Sequence, residues 1–139
     1  MRSRNHICIA FLAVCAVMLM GMGGFGDSDV VNKIPKPDRT FSVRIIDSEN
    51  VSYDVDEFSV DGLTYAPASV GKAEVGIDFA NIKQVKLYRE GENDVRADVG
   101  FKDGSHQQVH MAPGVQFYGR TSWGLMRLAA KDIREIDFK

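Results

Sequence analysis

The stretch ANIKQVKLY (80–88) is followed some fifty residues later by KDIREIDF (131–138), and the two are near-paraphrases. Extended without a gap, 75–87 lies on 126–138, with Val75 on Met126, Ile77 on Leu128, Asn81 on Asp132, Ile82 on Ile133, Lys83 on Arg134, Val85 on Ile136 and Leu87 on Phe138. Two copies of a site would carry reactive side chains at the matched positions. The matched residues are instead apolar, turn-forming or, at Lys83 and Arg134, a single exposed cation. Each copy reads as strand, tight turn, strand: Asn or Asp can hydrogen-bond the backbone two residues on, and the apolar spacing of three and then two suits one helical turn running into a strand. The repetition is architectural, and Ile82, Val85, Ile133, Ile136 and Phe138 are expected in the core.

Outward from this pair the chain keeps a period of two. FSVRIID (41–47) alternates Phe41, Val43 and Ile45 with Ser42 and Arg44, and VSYDVDEFSV (51–60), AEVGIDF (73–79) and VRADVGF (95–101) repeat the pattern. An Asp-Gly turn at Asp103–Gly104 leads into HQQVHM (106–111), and Gly91 with Asn93 marks another turn. The one candidate helix, GLMRLAAKDIREI (124–136), is better read as a strand ending in a single turn. The expectation is an all-β fold: a small single-domain β-sandwich or barrel of about eight or nine short, mostly antiparallel strands.

The N-terminus has a different composition. Arg2 and Arg4 precede an apolar run from Ile7 to Met22, and no further charge appears before Asp27. Gly24 and Gly26 put small residues at −3 and −1 of a cut there, so residues 1–26 are expected to be a cleaved signal peptide. The uncharged run is also long enough for an uncleaved membrane anchor. A lipoprotein cysteine at Cys15 is a poorer fit, because Val14 precedes it and the apolar run continues beyond. Residues 27–40, with Pro35 and Pro37, read as an extended tether, leaving 41–139 as the folded domain.

Both cysteines, Cys8 and Cys15, fall inside the signal, so a mature chain has neither disulfide nor thiolate chemistry. The 15 basic and 19 acidic residues after residue 26 give a net charge of −4. A mildly acidic, mixed surface argues against nucleic acid or an anionic membrane face as partner. No phosphate-cradling glycine loop or nucleophile elbow is present, and no cofactor is expected.

Three stretches are left to consider for chemistry. His106 and His110, on one strand, are about 13 Å apart at ~3.3 Å per residue, too far for one zinc ion to bridge; they read as surface side chains. Asp47, Glu49, Asp54, Asp56, Glu57 and Asp61 could offer calcium its oxygen ligands, but their spacing does not match an EF-hand loop and a solvated face accounts for them. A carboxylate-based hydrolase would draw on Asp54 and Asp56, provided two carboxylates stand ~5–10 Å apart across a cleft. In FYGRTSWGLM (117–126), Tyr118 and Trp123 could stack on a sugar face with Arg120 hydrogen-bonding beside them, or the rings could fill the core. Tyr118, Arg120 and Trp123 are the candidate ligand-binding residues; no catalytic or metal residues are assigned. The expected function is an exported, non-catalytic binding or structural module of the bacterial cell envelope, periplasmic or extracellular, recognising a protein or glycan partner.

Overall fold

A computed structural model describes residues 36–139; the signal-peptide assignment and most of the tether lie outside the described residues. The described chain is nearly all antiparallel strand: β1 (Val43–Asp47), β2 (Ser52–Ser59), β3 (Tyr65–Val70), β4 (Ala73–Asp78), β5 (Ile82–Glu90), β6 (Asp94–Phe101), β7 (His106–Met111), β8 (Gln116–Thr121), β9 (Gly124–Ala129) and β10 (Ile133–Phe138). Ten strands, rather than eight or nine, form one sheet in the order β4-β3-β7-β6-β5-β10-β1-β2-β8-β9, curled into a half-barrel. The additional strands come from YAPASV (65–70) and QFYGRT (116–121), where proline and glycine obscure the alternation.

The two paraphrased segments are neighbours at the centre of this sheet. β5 and β10 pair antiparallel, and the matched residues Val85 and Ile136 stand directly opposite each other. A pseudo-twofold axis therefore passes between them. About it, β3 matches β8, β4 matches β9, β6 matches β1 and β7 matches β2, so the strand order reads the same from either end. The correspondence extends to individual bonds. Phe79 N–H donates to Thr64 O and Ala130 N–H to Val115 O; Lys102 N–H donates to Asn81 O and Ser48 N–H to Asp132 O; Phe101 N–H donates to Ser105 O and Asp47 N–H to Val51 O. Asn50 and Gly104, at equivalent turn positions, share a left-handed backbone, with φ of 63° and 87°. One half runs continuously from β3 to β7. The other is β8–β10 followed in space by β1–β2, and the β10–β1 junction is where Lys139 N–H donates to Ser42 O. Where one half has the β5–β6 turn, the other has the two ends of the folded region.

Between β4 and β5, and between β9 and β10, lies one 3-10 turn, Phe79–Asn81 and Ala130–Asp132. Asn81 and Asp132 end these turns instead of starting them. In the first, Asp78 caps by accepting from Ala80 N–H at 2.9 Å, and in the second no side chain caps at all. What the two turns share is a first residue driven into the core, Phe79 or Ala130, and a carbonyl at the last residue bonded to the neighbouring hairpin.

The inner face gathers Val43, Ile45, Val55, Ile82, Val85, Leu87, Val95, Ala97, Val99, Val109, Ile133 and Ile136, all buried, with Phe138 partly buried beside them. Phe58, Phe79, Phe117 and Phe138 stack or meet edge-on at the centre. Ahead of β1, Pro37 is buried, and Arg39 donates to Thr64 Oγ1 at 2.9 Å and pairs with Asp78 at 3.0 Å. Contacts with the sheet thus reach back to residue 37.

Two predictions follow from this packing. Ile82 and Ile133 occupy equivalent, buried positions (1% and 4% exposed), so Ile82→Ala and Ile133→Ala should each cost about 2–5 kcal/mol, by similar amounts, in urea unfolding. Gly119 of β8 crosses β2 so closely that a Cβ there would lie 2.0 Å from Val55 Cγ1 and 3.1 Å from Asp56 O. Val55 is itself in the core, so Gly119→Val should destabilise by at least the ~1–3 kcal/mol typical of overpacking, measured the same way.

Candidate functional site

The sequence-assigned residues gather at one corner of the sheet. Tyr118 and Arg120 are two apart on β8 and share its outer face, while Phe117, Gly119 and Thr121 point inward. Thr121 pairs with Gly124 across a two-residue turn made of Ser122 and Trp123. Thr121 Oγ1 donates to Gly124 O at 2.9 Å, tying the turn shut from inside. Trp123 has no place in the core: it is 72% exposed at the tip, the most open of the large apolar side chains described. Arg120 Nε lies 3.4 Å from Glu57 Oε2 on the neighbouring β2. The equivalent turn in the other half is Gly71–Lys72, so the exposed indole has no counterpart there. An exposed indole with a phenol and a guanidinium on the adjoining strand offers a flat stacking surface flanked by hydrogen-bond donors.

The acidic stretch does not come together. Asp47, 8% exposed, accepts from Glu49 N–H and Val51 N–H at 2.9 Å each and from Tyr53 O–H at 2.9 Å. It organises the β1–β2 turn. Asp54 pairs with Lys139 at 3.1 Å and with Arg44 at 3.2 Å, and these two cations hold its carboxyl below the ordinary carboxylate range. Asp56 accepts from Ser42 Oγ at 2.6 Å, Glu57 faces Arg120, and Asp61 sits in a left-handed turn. Each carboxylate has its own local partner or turn. Among the described residues these six form no group close enough to share a cation.

A different cluster does form. Counted back from the Asp-Gly turn, the β6–β7 register puts His106 opposite Gly100 and His110 opposite Arg96. His106 is exposed, its ring lying over the bare Cα of Gly100. His110 is half-buried, and its Nδ1 is 2.8 Å from Asp94 Oδ2. Asp94 in turn stands opposite Glu90 across the β5–β6 hairpin. Glu90, Asp94 and His110 bring one ligand atom each to within 4.8 Å of one another. Arg96 braces the cluster from the side: Nη1 is 2.9 Å from Glu90 Oε1, Nε is 3.7 Å from Asp98, and the guanidinium lies 4.5 Å over the ring of Tyr88. His110 also lines a surface groove with Tyr65, Pro67 and Ser69. Comparing His110 only with His106 along one strand misses this, because its partners lie across the sheet. The signal was available in the turn positions, which set the hairpin register and so place Asp94, Arg96 and His110 on one outer face.

Residues 37–139 match a family described as "Uncharacterised protein". The chain belongs to that family. The match begins at Pro37, which is buried. No curated protein and no solved structure matches the chain. Among the described residues no helix is long and apolar enough to cross a membrane.

The Asp47–Tyr53 pair generates a pH prediction. The Val51 N–H bond, with smaller contributions from Tyr53 and Glu49, holds the Asp47 carboxyl below its ordinary value, and the same carboxylate raises the Tyr53 phenol. A lowered acid contributes stability above the unfolded carboxylate value, near 4, and that contribution is lost as pH falls through the folded value below it. Asp47→Asn should therefore be less stable than wild type at pH 7, with the gap narrowing as pH drops below about 4, followed by thermal unfolding across pH 2–7.

Proposed function

We propose that this chain is an exported, non-catalytic binding module of the bacterial cell envelope, recognising a protein or glycan partner through the β8–β9 hairpin tip. The observation that carries the proposal is Trp123, 72% exposed at a two-residue turn. A large indole held in water costs solubility and adds nothing to the fold, whereas an amphipathic ring on a rigid hairpin suits recognition. Tyr118 and Arg120, side by side on the same outer face of β8, extend the surface. Export is supported by the basic, apolar and small-residue order of residues 1–26.

The exposure of Trp123 also favours the glycan form of this reading, in which the indole stacks on a sugar face and Arg120 donates to ring hydroxyls. A hydrolase built on Asp54 and Asp56 has less behind it, because Asp54 is held by Arg44 and Lys139 and Asp56 by Ser42.

The chain has a single tryptophan, so its emission reports this tip alone. Acrylamide should quench it readily, and soluble envelope glycans should protect it if a sugar is the partner. In pull-downs from envelope extract, Trp123→Ala and Tyr118→Ala should reduce partner capture at least tenfold, the effect of losing about 1.4 kcal/mol of contact. Full capture by Trp123→Ala would overturn the proposal, while capture that is lost without any glycan protection would assign the tip to a protein partner.

A further inference from the structure

We propose that Glu90, Asp94 and His110 form a binding site for one divalent first-row transition ion, with zinc as the natural probe. The site lies at the end of the β5–β6 hairpin, away from the β8–β9 tip, and the inference does not depend on the proposal made for that tip.

Geometry is the first argument. Zinc bonds to imidazole nitrogen and carboxylate oxygen at about 2.0–2.2 Å in near-tetrahedral arrangement, which sets neighbouring ligand atoms about 3.3–3.5 Å apart. His110 Nδ1 and Asp94 Oδ2 are 2.8 Å apart, and the full trio lies within 4.8 Å. Opening the first distance by roughly half an ångström and drawing Glu90 in needs side-chain rotation only. All three residues sit on paired strands of one sheet, with Glu90 facing Asp94 and His110 one strand further, so the backbone positions are fixed before any ion arrives.

Ligand type is the second argument. One imidazole and two carboxylates suit zinc and its neighbours in the first transition row. Calcium takes six to eight oxygens, more than two carboxylates supply.

The third argument comes from the shell around the trio. Ligating carboxylates are commonly oriented by a further hydrogen bond. Arg96 supplies one to Glu90 Oε1, leaving the other carboxylate oxygen uncommitted, and is itself held over Tyr88. Two carboxylates directly opposite on a hairpin repel each other, and the pair Glu90–Asp94 is tolerated here beside Arg96 and His110. The twin half has no counterpart: Thr40 stands where Asp94 would be and Asp56 where His110 would be. The trio is therefore not a by-product of the repeated architecture. With three protein ligands, a tetrahedral ion keeps one position for water or an incoming donor, and the groove shared by His110, Tyr65 and Ser69 runs alongside.

The test is isothermal titration of the chelator-treated full chain with zinc chloride. His6, Cys8 and Cys15 are residue types that can also take up zinc, so the site is read as the binding step that the variants remove. His110→Gln and Asp94→Asn should each weaken that step at least tenfold, and His106→Gln should leave it within twofold of wild type. The thermal midpoint should rise with zinc in wild type and less so in His110→Gln, as binding to the folded state requires. Wild-type chain with no saturable zinc binding, or an equal loss in His106→Gln and His110→Gln, would overturn the proposal. Should His110→Gln or Asp94→Asn fail to fold, Glu90→Gln decides, because Glu90 is exposed at the end of β5 and outside the core: a tenfold loss supports the site and an unchanged titration refutes it.

Discussion

Phe58 is the residue on which the two halves of the sheet converge. Its ring stacks on Phe79 with centroids 5.1 Å apart and on Phe117 at 5.3 Å, and meets Phe138 edge-on at 5.7 Å. Those four rings come from β2, from the first 3-10 turn, from β8 and from β10, segments distant in sequence. A curled sheet exposes a wide apolar inner face, and side chains of ordinary size do not reach across it. Large planar rings do, and offset stacking and edge contacts add to what their burial contributes. The cluster joins the half-sheets β4-β3-β7-β6-β5 and β10-β1-β2-β8-β9 across the inner face, adding to the β5–β10 seam and to the Arg39 contacts with Thr64 and Asp78.

The same cluster explains why the pseudo-symmetry stops at the core. Phe79 is matched by Ala130 and Phe117 by Ala66, all four buried. Filling one centre from two equivalent half-sheets leaves room for a ring on one side and a methyl on the other. Backbone hydrogen bonds around the two 3-10 turns and the β6–β7 and β1–β2 turns keep the symmetry, whereas packing volume does not.

The side chains on which the two proposed sites rest lie at positions that the two halves do not share. The β8–β9 turn carries Trp123 where its twin carries Lys72, and the β5–β6 hairpin carries Glu90 and Asp94 where its twin has the approach to β1 and the end of β10. Turn tips are free to vary because they are the places where strand pairing and core packing impose least. The paired Asp47 and Tyr53 show the opposite case: polar groups close to the core, fully hydrogen-bonded, whose work is to close a turn.

From the sequence by itself came the all-β class, the strand-turn-strand nature of 75–87 and 126–138, and the inward set Ile82, Val85, Ile133 and Ile136. These follow from local periodicity and turn chemistry, which act within a few residues. The count of ten strands was less legible, since Pro67 and the glycines around Trp123 break the alternation that marks a strand. Tertiary structure alone decided that the two paraphrased segments pair with each other, that Trp123 is outside the core and that the acidic residues of 47–61 separate to individual partners, whereas the meeting of His110 with Asp94 and Glu90 follows from two successive hairpins whose turns the sequence marks. Each of these is fixed by which strands lie side by side. The adjacency of strands not joined by a hairpin, such as β5 with β10 and β2 with β8, goes with rings from four distant segments filling one centre, a long-range condition that no local pattern encodes.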